Sequence, residues 1–172
     1  MKTRTLTVAA LFIAGLMAVQ PAAAQTKQPK PGDHFGDWQY ECQELGKSGK
    51  VCGLYQAIAD RGTKREVLQI TVRPIGRDGK GIGMVVKFPL GIFLGTGLVG
   101  KVDDNPQFSF GLQTCTTHGC DAAIEVNDRL LAEMETGKRF VIGFKIHPTQ
   151  KTTIVPVSLK GFKDGIAVIR KK

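Results

Sequence analysis

Cys115, His118 and Cys120 stand within six residues of one another, and thiolate and imidazole are the groups that hold zinc. A structural zinc site takes four such ligands, often in paired short spacings. The other histidines, His34 and His147, are remote in sequence, and Pro148 follows the second. The spacing therefore predicts a disulfide-closed hairpin with an exposed histidine, and no metal.

A second pattern, Gly95-Thr96-Gly97-Leu98-Val99-Gly100, matches the dinucleotide-binding fingerprint. That fingerprint works only where a helix starts and lays its amide dipole on a pyrophosphate. Here Lys101-Val102-Asp103-Asp104-Asn105-Pro106 follows, and its turn formers and proline oppose a helix. No cofactor is expected. Nucleophilic catalysis has little to draw on: the chain's serines are Ser48, Ser109 and Ser158, and no G-x-S-x-G elbow surrounds any of them. Ser109 between Phe108 and Phe110, and Ser158 between Val157 and Leu159, read as outward members of strands. Asp103 and Asp104 read as turn chemistry. The sequence predicts a protein that is not an enzyme.

The remaining chemistry is oxidative. Cys42, Cys52, Cys115 and Cys120 are the four cysteines, an even number that suits two disulfides in an exported domain. Three pairings are open. Cys42–Cys52 and Cys115–Cys120 are favoured, because each pair flanks a turn-like stretch, Gly46-Lys47-Ser48-Gly49 and His118-Gly119.

The elements that carry these residues are mostly period-two. Trp38, Tyr40 and Cys42 alternate with polar residues; so do Leu68, Ile70 and Val72, and Ile82, Met84, Val86 and Phe88. Phe108, Phe110 and Leu112, then Cys120, Ala122, Ile124 and Val126, repeat the pattern. Phe140, Ile142, Phe144 and Ile146 follow, and finally Val155, Val157 and Leu159. One short helix is expected near residues 128–136, from Leu130, Leu131 and Met134 at helical spacing, capped by Asn127 or Asp128 and stopped by Gly137. The fold class is all-β: an antiparallel β-sandwich of about seven to nine short strands.

At the front, residues 1–24 have the form of a cleaved secretory signal. Lys2 and Arg4 precede an apolar run, Leu6–Val19, and Ala22-Ala23-Ala24 supplies the small residues for cleavage before Gln25. The run is shorter than the roughly 20 residues a membrane-spanning helix needs. No transmembrane span is expected once the signal is removed. Residues 25–34, with Pro29, Pro31 and Gly32, read as a flexible lead-in, and residues 35–172 as a single domain.

Charge is uneven. The whole chain carries a formal +9, yet residues 138–172 alone hold nine Lys and Arg against Asp164. This end is a candidate contact for an anionic envelope or host surface, with Lys160, Lys163, Arg170, Lys171 and Lys172 as the named contacts. Nucleic acid is not expected, since no nucleic-acid-binding motif accompanies the charge. The stretch Phe88–Val99 is the opposite case: apolar, glycine-rich and without a single charge. Ile92, Phe93 and Leu94 are the candidate patch there for a protein partner or self-association.

Four short elements then carry a resemblance. They are Phe35-Gly36-Asp37-Trp38 before Cys42 and Cys52; Pro89-Leu90-Gly91-Ile92 running to Gly97-Leu98; Phe110 before Cys115 and Gly119-Cys120; and Pro156-Val157-Ser158-Leu159-Lys160-Gly161-Phe162. In this order, behind a signal peptide, they resemble the invasion-associated locus B family of bacterial exported proteins. The resemblance covers about residues 35–162. It implies a small β-sandwich of the periplasm or outer membrane of a Gram-negative bacterium, linked to host-cell invasion, with the four cysteines as its disulfides. It implies no catalytic residue or cofactor. An envelope-maintenance or ligand-binding protein is the alternative. After Phe162 the chain departs from the family pattern: Lys163-Asp164-Gly165 interrupts what resembles a terminal helix, leaving helix and strand both open.

Overall fold

Alternating apolar residues become strands because successive side chains leave a strand on opposite faces, so one face can be buried whole. The computed structural model describes residues 28–46, 49–76 and 78–170. The signal segment 1–24, Lys171 and Lys172 lie outside the described residues, as do Lys47 and Ser48 of the first disulfide's turn. Among the described residues, eleven strands run in chain order: β1 His34–Phe35, β2 Trp38–Glu44, β3 Lys50–Ala59, β4 Glu66–Ile75, β5 Gly81–Phe88, β6 Leu98–Val102, β7 Phe108–Phe110, β8 Leu112–Thr116, β9 Gly119–Val126, β10 Arg139–Phe144 and β11 Thr153–Ser158. Two helices join them, α1 Asp128–Thr136 and α2 Phe162–Ile169.

The strands form two antiparallel sheets. The large sheet has the order β1-β2-β3-β4-β5-β9-β8, and the small one β11-β10-β6-β7. Their inner faces make the core. Leu68, Ile70 and Val72 from β4, Ile82, Met84, Val86 and Phe88 from β5, and Phe140, Ile142 and Phe144 from β10 are all buried. Phe88 meets Phe144 edge-on at 5.2 Å, tying the sheets together. The small sheet is narrower than the large one, and α2 covers the part of the large sheet near β1, β2 and β3.

The all-β sandwich is thus present, with more strands than the periodicity suggested. The excess lies in very short pieces such as β1 and β7, of two and three residues, too short to show a period. The helix at 128–136 is where the spacing put it, with Asn127 as the cap accepting from the Leu130 amide at 2.9 Å. The chain end resolves as the second helix. Gly165 does not interrupt it: a Cβ there would lie 2.6 Å from Leu54, so glycine lets α2 press onto β3. Burying Phe162, Ile166 and Ile169 outweighs the roughly 1 kcal/mol that glycine costs a helix.

Two further expectations change. The end of the lead-in is tied to β2: the Gly32 amide donates to the Tyr40 carbonyl at 2.8 Å, and the Tyr40 amide donates to the Asp33 carbonyl at 2.7 Å. His34 already belongs to β1. Ile146 does not continue the inward row of Phe140, Ile142 and Phe144, because β10 ends at Phe144 and the chain turns; its side chain is 55% exposed.

Candidate functional site

The strands β10 and β11 lie side by side, so the small sheet has two ends, one near Arg139 and Ser158 and one near Phe144 and Thr153. At about 3.3 Å per residue these ends are roughly 17 Å apart. Among the described residues, those singled out in the sequence as a site fall at one end or the other, along α2, or in a disulfide.

At the first end the two termini of the domain close on each other. Phe35-Gly36-Asp37-Trp38 meets Ser158–Phe162. The Trp38 indole is fully buried, 5.1 Å from the Phe162 ring, and its Nε1 donates to the Ser158 carbonyl at 2.9 Å. The Ser158 hydroxyl donates to Asp37 Oδ2 at 2.5 Å, and the Asp37 amide donates to the Lys160 carbonyl at 3.1 Å. Gly36 and Gly161, both at positive φ, touch backbone to backbone, leaving no room for a Cβ on either. Gln56 completes the junction from β3. Its amide donates to the Ser158 carbonyl at 3.2 Å and accepts from the Ser158 N–H at 3.1 Å, as a neighbouring strand would. Sequence reasoning passed over Gln56; a polar residue in phase with the buried Leu54 was its only signal.

The second end is a tip. After Phe88 the chain leaves β5, makes one 3₁₀ turn at Leu94–Thr96 and enters β6 at Leu98. The Phe93 amide donates to the Lys145 carbonyl at 2.7 Å, which fastens this loop beside the turn between β10 and β11. The glycine fingerprint thus lies in a turn and a strand, with no helix behind it. Of the candidate patch, Leu94 is 57% exposed, while Ile92 and Phe93 are half-buried and Ile92 packs on the core. Phe93 folds its ring over Gly95. Leu90, Ile146 and Ile154 are exposed like Leu94. These four, with Leu45, are the large apolar side chains exposed among the described residues. Ile154 continues onto the outer face of the small sheet, in a row with Gly143 and Val99. Ile146 and Ile154 were missed as patch members. Ile154 carried a signal, being out of phase with the buried Val155 and Val157.

The basic group divides. Lys160 and Lys163 are exposed at the junction end, at the start of α2, and Arg170 is exposed at the far end of that helix, where Ile169 lies beside Lys50 and Cys52. Lys145 and Lys151 belong to the tip. No Asp or Glu occurs between residues 140 and 163, or between 88 and 102, so the tip carries cations and no anion of its own.

The side chains suited to covalent chemistry are engaged structurally. Cys42–Cys52 and Cys115–Cys120 are the two disulfides, as favoured, and each closes across directly paired strand positions. Neither Cys115 nor Cys120 is therefore a thiolate, and the exposed His118 has Nδ1 3.3 Å from the Thr117 hydroxyl. Ser109 is exposed in β7. Asp103 accepts from the Lys138 and Arg139 amides at 2.7 and 3.0 Å, joining β6 to β10. Burial raises the Tyr55 phenol above its ordinary pKa, with Glu66 and Glu41 adding to the effect. The Asp60 carboxyl lies below its ordinary value because the Thr63 amide and hydroxyl and the Gly62 amide donate to it. A depression of about 290 Å³ lies outside the sandwich, beside Cys42–Cys52 and Arg73.

Comparison with known proteins places this geometry. The profile of the invasion associated locus B (IalB) protein family matches residues 38–170, which takes in the tip and the junction from Trp38 onward. An Invasion protein B homolog of Brucella abortus (strain 2308) is 26% identical over 151 residues, covering 87% of this chain and 83% of that protein. A homolog from Brucella abortus biovar 1 (strain 9-941) aligns with the same figures. The crystal structure of invasion associated protein b from Bartonella henselae superposes with a TM-score of 0.68 at 21% identity, over 80% of this chain and 94% of that one. That likeness establishes the shared fold.

Proposed function

Because the chain belongs to the invasion associated locus B family, we propose that it is an exported, non-enzymatic envelope protein that supports host-cell invasion through surface contact. The family match over residues 38–170 carries this reading. Export is supported by the sequence of residues 1–24 and by two disulfides, which persist in oxidising compartments and are rare in the cytosol. No helix among the described residues is long and apolar enough to cross a membrane.

A contact role is supported by how the molecule spends its side chains. Its cysteines are paired, Ser158 is bonded into the junction, and the space between the sheets is filled by Phe88, Phe144 and their neighbours. That filling weighs against an inter-sheet ligand pocket, and so against a carrier of small molecules. Exposed apolar residues at the tip, including Leu94 beside Ile92 and Phe93, are the surface such a contact would use. The test is deletion of the gene, with complementation, in an invasion assay on cultured host cells, alongside fractionation of the envelope. Lower invasion and recovery outside the cytoplasm are expected. Unchanged invasion overturns the role, and cytoplasmic recovery overturns the export.

A further inference from the structure

We propose that the tip is a docking surface for an anionic phospholipid bilayer. Leu90, Leu94, Ile146 and Ile154 would enter the boundary between headgroups and acyl chains, and Lys145 and Lys151 would meet the phosphates. This rests on the reading above that the protein works at the envelope by contact, and it names what is contacted.

Three observations carry it. The first is placement: four of the five large apolar side chains exposed among the described residues gather at one end of the small sheet. Leu90 and Leu94 stand on the 89–97 loop and Ile146 on the β10–β11 turn, which the bond from the Phe93 amide to the Lys145 carbonyl holds together at 2.7 Å, and Ile154 follows in β11. Protruding apolar side chains suit insertion into a fluid interface about 5–10 Å deep, whereas a peptide or small ligand needs a concave seat.

The second observation is charge. Lys145 and Lys151 flank Ile146 in sequence, and no carboxylate lies between residues 140 and 163 or in the loop beside them. On the adjoining β9, Asp121 lies 4.0 Å from Lys87, and Asp103 and Asp104 lie beyond the other end of β6, where Val102 pairs with Phe140. The Lys145 ammonium donates to the Pro148 carbonyl at 3.3 Å, which leaves its charge unneutralised; apolar residues rimmed by lysines without an acid beside them match an anionic leaflet, which attracts such residues and is felt within a Debye length.

The third observation weighs against a second copy of the chain. A two-fold interface would set the same patch against itself. Lys145 and Lys151 would then face their own copies with no acid to answer them. The 89–97 loop also supplies no acid, its one polar side chain being Thr96.

The experiment uses protein purified from a host that exports it, its N-terminus established by mass spectrometry. Binding to vesicles of mixed phosphatidylglycerol and phosphatidylcholine is compared with binding to phosphatidylcholine alone. The Leu94→Trp variant reports insertion, because Trp38 is the chain's single tryptophan and is fully buried. Its emission should shift to the blue on the anionic vesicles and be quenched by brominated acyl chains. Leu94→Asp with Ile146→Asp should lower binding more than tenfold while melting as the parent does. Lys145→Gln with Lys151→Gln should lower it about twenty-five-fold, at about fivefold per lysine, and flatten its salt dependence. Lys160→Gln, Lys163→Gln and Arg170→Gln together should leave the Leu94→Trp shift intact.

Emission that does not move, or aspartate variants that bind like the parent, overturns the proposal. So does a dimer in sedimentation that the aspartate variants abolish while vesicles are ignored, which would make a second copy the occupant. Binding to polyglutamate with vesicles ignored overturns it in favour of an acidic protein. The two readings separate cleanly. Vesicle insertion with unchanged invasion on gene deletion sinks the invasion role alone, and lost invasion without vesicle insertion sinks the lipid tip alone.

Discussion

The junction and the tip are made of similar residues and put to opposite use. At the junction, Trp38 and Phe162 are fully buried, and each polar group around them is answered: the indole N–H by a carbonyl, the Ser158 hydroxyl by Asp37, the Ser158 amide by Gln56. At the tip, Leu94, Ile146 and Ile154 are each more than half exposed. Both regions are glycine-dependent. At the junction glycine allows two backbones to touch; at the tip it allows the chain to turn back sharply, as at Gly91 and Gly97, both with positive φ. The lesson is that apolar content alone does not mark a core. What marks it is whether the neighbouring polar groups have partners, because an unpartnered buried polar group costs about 1–3 kcal/mol.

That contrast can be broken by mutation. Trp38→Ala should have the largest effect, about 3–5 kcal/mol in a denaturant titration, since it empties a fully packed site. A variant that melts like the parent would show that the junction is not a core. Replacing both Cys42 and Cys52 by alanine should cost about 2–3 kcal/mol by the loop-entropy relation for a separation of ten residues. Gln56→Ala strands the Ser158 amide at the junction and should cost about 1–3 kcal/mol. A loss below that range would mean that solvent reaches the junction and answers the freed groups.

At the tip the expected stability changes are small. Leu94→Asp should stay within about 0.5 kcal/mol of the parent, as exposed substitutions do. Unfolding by this variant would move the tip into the core and end the contrast. The smallest effect belongs to Asp60, in the turn between β3 and β4, which serves as a control on both regions. Its folded pKa is lowered, so the stability it contributes is present above the ordinary value of 3.8 and is lost as pH falls through the lower folded value. Acidification through that range should speed exchange of the Thr63 amide, and Asp60→Asn should remove that pH dependence. The Trp38 fluorescence should not follow it.

Much of this architecture was readable in the chain before any coordinates. Period-two alternation assigned Leu68, Ile70 and Val72, and Ile82, Met84, Val86 and Phe88, to the interior, and all seven are buried. The helix at Asp128–Thr136 and both disulfide pairings were legible for the same reason: each depends on residues close in sequence. The site was only partly legible. Leu94 emerged as exposed, but Ile146 looked like one more inward residue, because alternation does not announce where a strand stops. The basic third looked like one surface, yet β10 and β11 carry Lys145 and Lys151 to one end and leave Lys160 and Lys163 at the other, and α2 takes Arg170 toward Cys52.

What the sequence determined by itself is therefore local: which face of a strand is apolar, which turns cysteines close, where a cap starts a helix. These follow from backbone geometry and near neighbours alone. Only the tertiary structure decided that Phe35–Trp38 meets Ser158–Phe162, that Gln56 bonds to β11 in place of a strand, and that Gly165 supports a helix it should weaken. Each of those depends on a partner about a hundred residues away, such as Leu54 for Gly165 and Ser158 for Gln56. No pattern within one segment encodes the shape of the surface it will be pressed against.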